Sequence, residues 1–145
     1  MRLLIDTSEQ APLRFKCETE RKNLLTGDYS LTGFESVLCV ERKSIPDLVK
    51  TVIGDWQRFS RQLLRMAAMD VAFIVVEGSP SDLLQHRYTG ETNPLSVRGR
   101  LNKILLRYGV HTVFLENREI AAEWIHNLFD QYLESKGLPM LSLTT

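Results

Sequence analysis

The run Val71-Ala72-Phe73-Ile74-Val75-Val76 constrains the fold more than any other stretch of this chain. It is continuous, apolar and rich in β-branched residues. With no polar face to turn to water, it reads as a central strand covered on both sides. The flanking segments supply the covers. Ser44 can cap free backbone N–H groups, Pro46 suits a first turn and Asp47 favours the positive helix end. A helix should therefore start at Ser44, with Ile45, Leu48 and Val52 as its apolar stripe and Gly54 as its end. A second helix is expected from about 56 to 69, with Phe59, Leu63 and Met66 on one buried face. Residues 79–86 give a short helix at best, and 87–93 a polar loop. Asn93-Pro94 opens a helix that Gly109 ends, 110–115 is the last strand, and Asn117 caps a final helix carrying Ile120, Trp124, Leu128 and Tyr132. Upstream, 2–6 reads as a first strand, 7–22 mostly as loop, and 24–32 and 36–42 as two strands joined near Gly33. The class is α/β, a central mixed β-sheet flanked by helices on both faces. Residues 1–137 make one domain, and 138–145 a short tail with no evident element.

The 145 residues suit one domain rather than two. No apolar run reaches the roughly 18 residues a membrane helix needs. The start, Met-Arg-Leu-Leu-Ile-Asp, reaches a charge too soon for a signal peptide. Cys17 and Cys39 lack metal-ligand spacing and make no disulfide framework, so a reducing interior is expected: cytoplasmic in a prokaryote or virus, nuclear in a eukaryote. Lys plus Arg and Asp plus Glu each total 18, so bulk charge predicts no nucleic-acid partner. The distribution says more. Residues 41–65 and 86–108 are rich in Arg and Lys, whereas 116–134 is acidic. A neutral protein can still present one basic face, although such charges also simply solvate helices.

Chemistry concentrates in Gly27-Asp28-Tyr29-Ser30 and Val40-Glu41-Arg42-Lys43-Ser44. If Gly33 and Ser36 close a two-residue turn, Asp28 falls directly opposite Glu41, and Lys43 points to the same face. Phe34-Glu35 is a poor primed turn, and a slip by one residue would separate the carboxylates. Two close carboxylates repel each other unless something positive lies between them. Mg²⁺, which takes oxygen ligands and commonly uses only one or two protein carboxylates, is the usual solution. It can acidify a water and neutralise charge developing on a phosphate, while Lys43 could orient that water or stabilise the transition state. A nuclease needs these parts. The plainer reading makes Asp28 a turn aspartate and Glu41 with Lys43 a surface pair.

The stretch 27–47 resembles the nuclease domain of XPF-type structure-specific endonucleases, which include archaeal Hef and belong to the PD-(D/E)XK nuclease superfamily. The shared pattern is Gly-Asp, here Gly27-Asp28, then a strand ending Glu-Arg-Lys with Asp four residues after the Lys, here Glu41-Arg42-Lys43 and Asp47. Asp6 and Glu9 match a first-strand motif of the family. The order of downstream elements is similar too, so the resemblance spans roughly residues 3 to 130. It implies a restriction-endonuclease-like fold and Mg²⁺-dependent hydrolysis of DNA phosphodiesters, with Mn²⁺ able to substitute. The implied substrates are branched, flapped or junction DNA in repair, recombination or replication. Carried over by position, Asp28 and Glu41 become metal ligands, with the Arg42 carbonyl as another. Lys43 becomes the catalytic lysine. Asp6 would support the metal or its water, and Glu9 and Asp47 would be supporting carboxylates in the same pocket. Asp47 could equally cap a helix, and Asp6 could be a turn residue. The Arg42 side chain should face away from Glu41, toward DNA or an acidic neighbour.

Arg58, Arg61 and Arg65, with Gln62 alongside, lie opposite much of the apolar stripe of the second helix and are candidate DNA contacts. Arg98, Arg100, Lys103 and Arg107 could extend the track; a solvated face is the bland alternative. His86, His111 and His126 read as ordinary histidines, and Trp56 and Trp124 as core. The resemblance implies a homodimer or a hetero-partner, with Trp124, Leu128, Phe129 and Tyr132 either forming that surface or packing on their own sheet. Ser8 stands where many family members carry Arg. The family's tandem helix-hairpin-helix module has no counterpart after residue 137 and no helicase precedes, so another chain is expected to supply junction recognition, or the domain to cut with less structural preference. The rival to catalysis is a non-catalytic DNA-binding or partner-binding subunit. Such subunits have typically lost the acidic motif that this chain keeps.

Overall fold

Six strands form one mixed sheet in the computed structural model, which describes residues 1–144. In chain order the elements are β1 (Leu3–Asp6), β2 (Thr19–Lys22), β3 (Tyr29–Leu31), β4 (Leu38–Ser44), α1 (Ile45–Val49) running into a π-helical turn (Lys50–Gly54), α2 (Trp56–Ala67), β5 (Val71–Glu77), α3 (Pro80–Leu84), α4 (Pro94–Tyr108), β6 (His111–Leu115) and α5 (Arg118–Ser135). The strand order is β2-β1-β3-β4-β5-β6. Only β3 runs against the others. The carboxyl ends of β1, β4, β5 and β6 therefore share one rim with the amino end of β3, the rim at which α/β sheets present ligand sites.

The apolar run 71–76 is covered on both sides. Ile74 and Val76 pack with Leu48, Val52, Phe59, Leu63 and Ile104 beneath α1, α2 and α4. Val75 faces the other way, into a cluster with Ile125 and Phe129 of α5. Each fully buried Leu, Ile or Phe contributes roughly 1.5–3 kcal/mol, so these two layers hold the sheet in place. The helix starts follow from capping. Ser44 accepts from the Asp47 N–H at 3.2 Å, Asn93 from Leu95 at 2.9 Å and Asn117 from Ile120 at 2.9 Å.

Three local readings of the sequence need correction. Residues 19–22 form β2, an edge strand paired parallel to β1 within the stretch expected to be loop. All four of its residues are exposed and none is apolar, so it carries no hydrophobic period. The connection after β3 is longer than a two-residue turn. Phe34 turns inward to meet Tyr132 edge-on at 5.5 Å, and its carbonyl accepts from both Val37 and Leu38. The segment after Gly137 returns to the body: Leu141 is buried, its N–H donates to Asp130 at 2.8 Å, and Leu143 bridges to Cys17. Of the two placements open to α5, packing on its own sheet accounts for much of its apolar side. Phe129 has no exposure, Trp124 meets Phe73 edge-on at 5.2 Å, and the Tyr132 hydroxyl donates to Asp70 at 3.2 Å. Trp124 and Leu128 stay half-buried, and Ile120 is exposed.

Candidate active site

The site begins with a backbone irregularity at Gly27. Its φ of +84° suits glycine, and a Cβ there would lie 2.7 Å from the Cβ of Cys39. Just beyond it, the Asp28 N–H donates to the Val40 carbonyl at 2.8 Å, while the Asp28 carbonyl accepts from Asp6 N–H at 2.8 Å. In a regular strand both groups of one residue point to the same neighbour. Here they point to opposite neighbours. The carboxylate of Asp28 takes up the vacant place in the ladder and accepts the Arg42 N–H at 2.8 Å. Tyr29 then pairs with Val40, the register expected from the sequence.

This register brings Asp28 and Glu41 together. Glu41 is 8% exposed, and one of its oxygens accepts from the Gln62 side-chain amide. The Lys43 ammonium stands 3.6 Å from the other oxygen and 5.8 Å from the centre of the Phe59 ring. Burial first, and the Glu41 charge second, push the Asp28 carboxyl up to about 8. Burial also raises Glu41 above its ordinary value, against the pull of Lys43 and Gln62. The thiol of Cys39 beneath them is pushed up to about 12, by burial and then by the charges of Glu41 and Asp28.

The donor set fits a hard divalent cation. Asp28 and Glu41 offer carboxylate oxygens, and the Arg42 carbonyl lies on the Asp28 edge of β4, the side to which its N–H points. No three His, Cys, Asp or Glu side chains cluster into a metal cage among the described residues.

The three other expected acids differ in what they touch. Asp6 accepts from the Leu24 N–H at 2.7 Å with one oxygen, and from the Ser8 N–H and hydroxyl with the other. Burial raises its pKa, yet these hydrogen bonds outweigh that and leave it below the ordinary value. Both oxygens of Asp6 thus anchor the loop that leads to Gly27. Glu9 borders the pair from the Arg42 side: it accepts from the Tyr29 hydroxyl at 2.7 Å and pairs with Arg42 at 3.0 Å, and its charge still helps to raise both Asp28 and Glu41. The Arg42 side chain also holds Glu77 at 2.7 Å, on the α5 side of the sheet. Its partners are thus the acidic neighbours that were one of its two expected roles. Asp47 sits exposed in the first turn of α1. Its N–H is capped by Ser44, and its carboxylate makes no bond among the described residues.

The polar residues of α2 divide into two sets. Gln62 turns in to Glu41, and Arg65 donates to the buried Thr26 hydroxyl at 2.8 Å, just ahead of Gly27. Both were expected on the DNA side. Three residues apart, they sit where the helix's polar face borders its buried stripe and brace the two strands that carry the carboxylates. Arg58 and Arg61 point outward, Arg58 with an ion pair of 3.6 Å to Asp55. Arg100 stacks on Trp56 at 4.3 Å, which fixes the start of α2 against α4.

Residues 5–128 match the family model of the ERCC4 domain. A search of curated protein sequences finds no match. Among solved structures, XPF from Aeropyrum pernix is similar with a TM-score of 0.75 and 24% identity, over 100% of this chain and 67% of that one. XPF from Aeropyrum pernix in complex with DNA is similar with a TM-score of 0.71 and 27% identity, over 94% of this chain and 66% of that one. The chain spans about two-thirds of the length of these XPF chains. Its architecture is the restriction-endonuclease-like fold of the XPF nuclease domain.

Proposed function

The chain belongs to the ERCC4 domain family, and from that premise we propose that it is a divalent-cation-dependent DNA endonuclease, using Mg²⁺ or Mn²⁺, that cuts phosphodiesters in branched or flapped DNA. The observation that carries this reading is the convergence of Asp28 and Glu41, both held above their ordinary carboxylate values beside a single lysine. A fold rarely keeps two buried acids so poorly compensated unless a cation completes them. A hard cation there supplies Lewis acidity toward water and phosphate. Asp28, Glu41 and the Arg42 carbonyl would hold it. Gln62 keeps the Glu41 carboxylate oriented. The Lys43 ammonium lies on the same face and stabilises the negative charge that grows on the phosphoryl oxygens. Arg58 and Arg61 hold backbone phosphates of the duplex. Hydrolysis is one displacement at phosphorus: the oxygen of water joins, the ester oxygen leaves with a proton, and no covalent enzyme intermediate forms. A partner chain, a second copy or a different subunit, supplies junction recognition.

The test is incubation with fork, flap, junction and linear DNA in Mg²⁺ or Mn²⁺. Cleavage of the branched forms is expected, lost in Asp28→Asn and Glu41→Gln while binding persists. Tight binding with intact DNA at high protein concentration would instead favour a non-catalytic subunit. Wild-type cutting by both variants would discard the site.

A further inference from the structure

We propose that the cleft between the loop after β1, the β1–β2 edge and the start of α5 is a second nucleic-acid site, which takes the unpaired strand of a branched substrate; this rests on the endonuclease reading above. The cleft is an open hollow of about 710 Å³, within the range of ligand-binding pockets. Arg14, Arg21 and Arg118 line it, and no Asp or Glu does. Its remaining surface includes Pro12, Leu13 and Phe15, which are apolar.

The walls are fixed before any ligand arrives. Arg21 donates to the carbonyls of Thr7 at 3.1 Å and Glu9 at 2.6 Å. Arg118 donates to those of Ala11 at 2.9 Å and Pro12 at 2.8 Å. The Leu13 N–H donates to the Tyr29 hydroxyl at 3.0 Å, and Phe15 meets the Tyr29 ring edge-on at 5.3 Å. A guanidinium carries five N–H donors, so Arg21 and Arg118 keep some after tying the loop. Arg14 is exposed and makes no ion pair or side-chain hydrogen bond among the described residues. Glu9 is engaged by Arg42 and Tyr29, and Glu119 and Glu123 stand beyond Phe15 in a neighbouring hollow that Arg14 also borders.

Three guanidiniums without a lining carboxylate select an anion. An aromatic and apolar floor beside them selects something with an exposed flat face. Together they match a single nucleic-acid strand, whose phosphates follow a basic groove while its unstacked bases rest on aromatic side chains. A duplex offers the phosphates but keeps its bases stacked inside, and would leave the floor unused. The placement agrees. The cleft lies on the α5 side of the rim, whereas Arg58 and Arg61 lie on the α2 side, the side on which Glu41 meets Gln62. DNA arms that diverge at a branch could follow one track on each side of the sheet.

The experiment measures binding, in EDTA so that no cutting intervenes, of oligo(dT), a blunt duplex, and the same duplex bearing an oligo(dT) arm. Arg14→Glu alters a side chain that supports nothing in the fold. It is expected to weaken oligo(dT) and the armed duplex about tenfold and to leave the blunt duplex unchanged. Phe15→Leu should cost oligo(dT) severalfold, and Arg58→Ala with Arg61→Ala should show the converse pattern, weakening the blunt duplex. Unchanged oligo(dT) binding in Arg14→Glu, an equal loss for the blunt duplex, or no oligo(dT) binding by the unaltered protein that still binds duplex would each overturn the proposal. Failure of the unaltered protein to bind any of the three DNAs would overturn the endonuclease reading itself.

Discussion

On one face of β4, Arg42 reaches Glu9 at 3.0 Å and Glu77 at 2.7 Å; on the other, Glu41 and Asp28 share Lys43, 3.6 Å from Glu41, and one peptide N–H. Each face gathers two carboxylates and one cation, so formal charge does not tell them apart. Geometry does. A guanidinium is a planar fork that can satisfy two acids at once, whereas an ammonium is a point charge that favours one. The Arg42 cluster is further closed by the Tyr29 hydroxyl. The Lys43 side leaves Asp28 with a single hydrogen bond among the described residues, and a carboxyl group that resists ionisation. A closed cluster serves the fold. An open one costs stability and is retained where chemistry needs it.

The sharpest way to separate the faces is to remove one carboxylate from the open side. Asp28→Asn should lower the cleavage rate by about a thousandfold, which is about 4 kcal/mol of transition-state stabilisation. The fold should survive, because an amide oxygen can still accept the Arg42 N–H. Single-turnover cleavage beside a circular-dichroism melt would show both, and a collapsed fold would mean that this face is structural too. Arg42→Met tests the closed side. It strands Glu9 and Glu77, which are at most 20% exposed, without a cation. A loss of about 3 kcal/mol is expected, or roughly 10 °C in Tm. If stability is untouched and only cleavage fails, the contrast drawn here is wrong.

Acidity offers a smaller test. The folded value of Asp28, about 8, lies above the ordinary 3.8. The folded protein thus holds that proton more tightly than the unfolded chain. The stability it contributes is complete below about pH 4 and is lost as pH rises through about 8. In chelator, urea melts should find Asp28→Asn gaining on the unaltered protein by about 1–2 kcal/mol between about pH 5 and about pH 8.5. Saturating Mg²⁺ should cancel that gain. A difference that does not vary with pH would remove the strain from the argument. Smallest of all, Gln62→Leu should lower kcat about tenfold while KM for DNA stays put, since its amide holds Glu41 rather than phosphate. A rise in KM alone would return Gln62 to the DNA surface.

The sequence made most of the architecture legible, because β5 can be buried only between two layers and because Ser44, Asn93 and Asn117 announce their helices. The pairing of Tyr29 with Val40 was legible as well, although the turn that was to set it is not the one present. What remained hidden has specific causes. Thr19 to Lys22 lies at an edge and shows no apolar alternation. The outward turn at Gly27 depends on a backbone angle that composition does not encode. Periodicity divides α2 into an apolar stripe and everything else, and cannot say that Gln62 and Arg65 stand at its border, within reach of Glu41 and Thr26. Glu9 matches a motif by spacing, but spacing could not say that the loop after β1 would seat it on Arg42 and Tyr29, with its charge still felt by Asp28 and Glu41.

The missing side chain at position 27 also acts as a gauge. Because even a methyl group there would press on the Cys39 side chain, the separation between the two carboxylate-bearing segments is set by a glycine backbone seated directly on Cys39. Anything inserted would work as a shim, prising Asp28 away from Glu41. If the proposed cation is held there, the room left for it is governed by a residue that would never touch it.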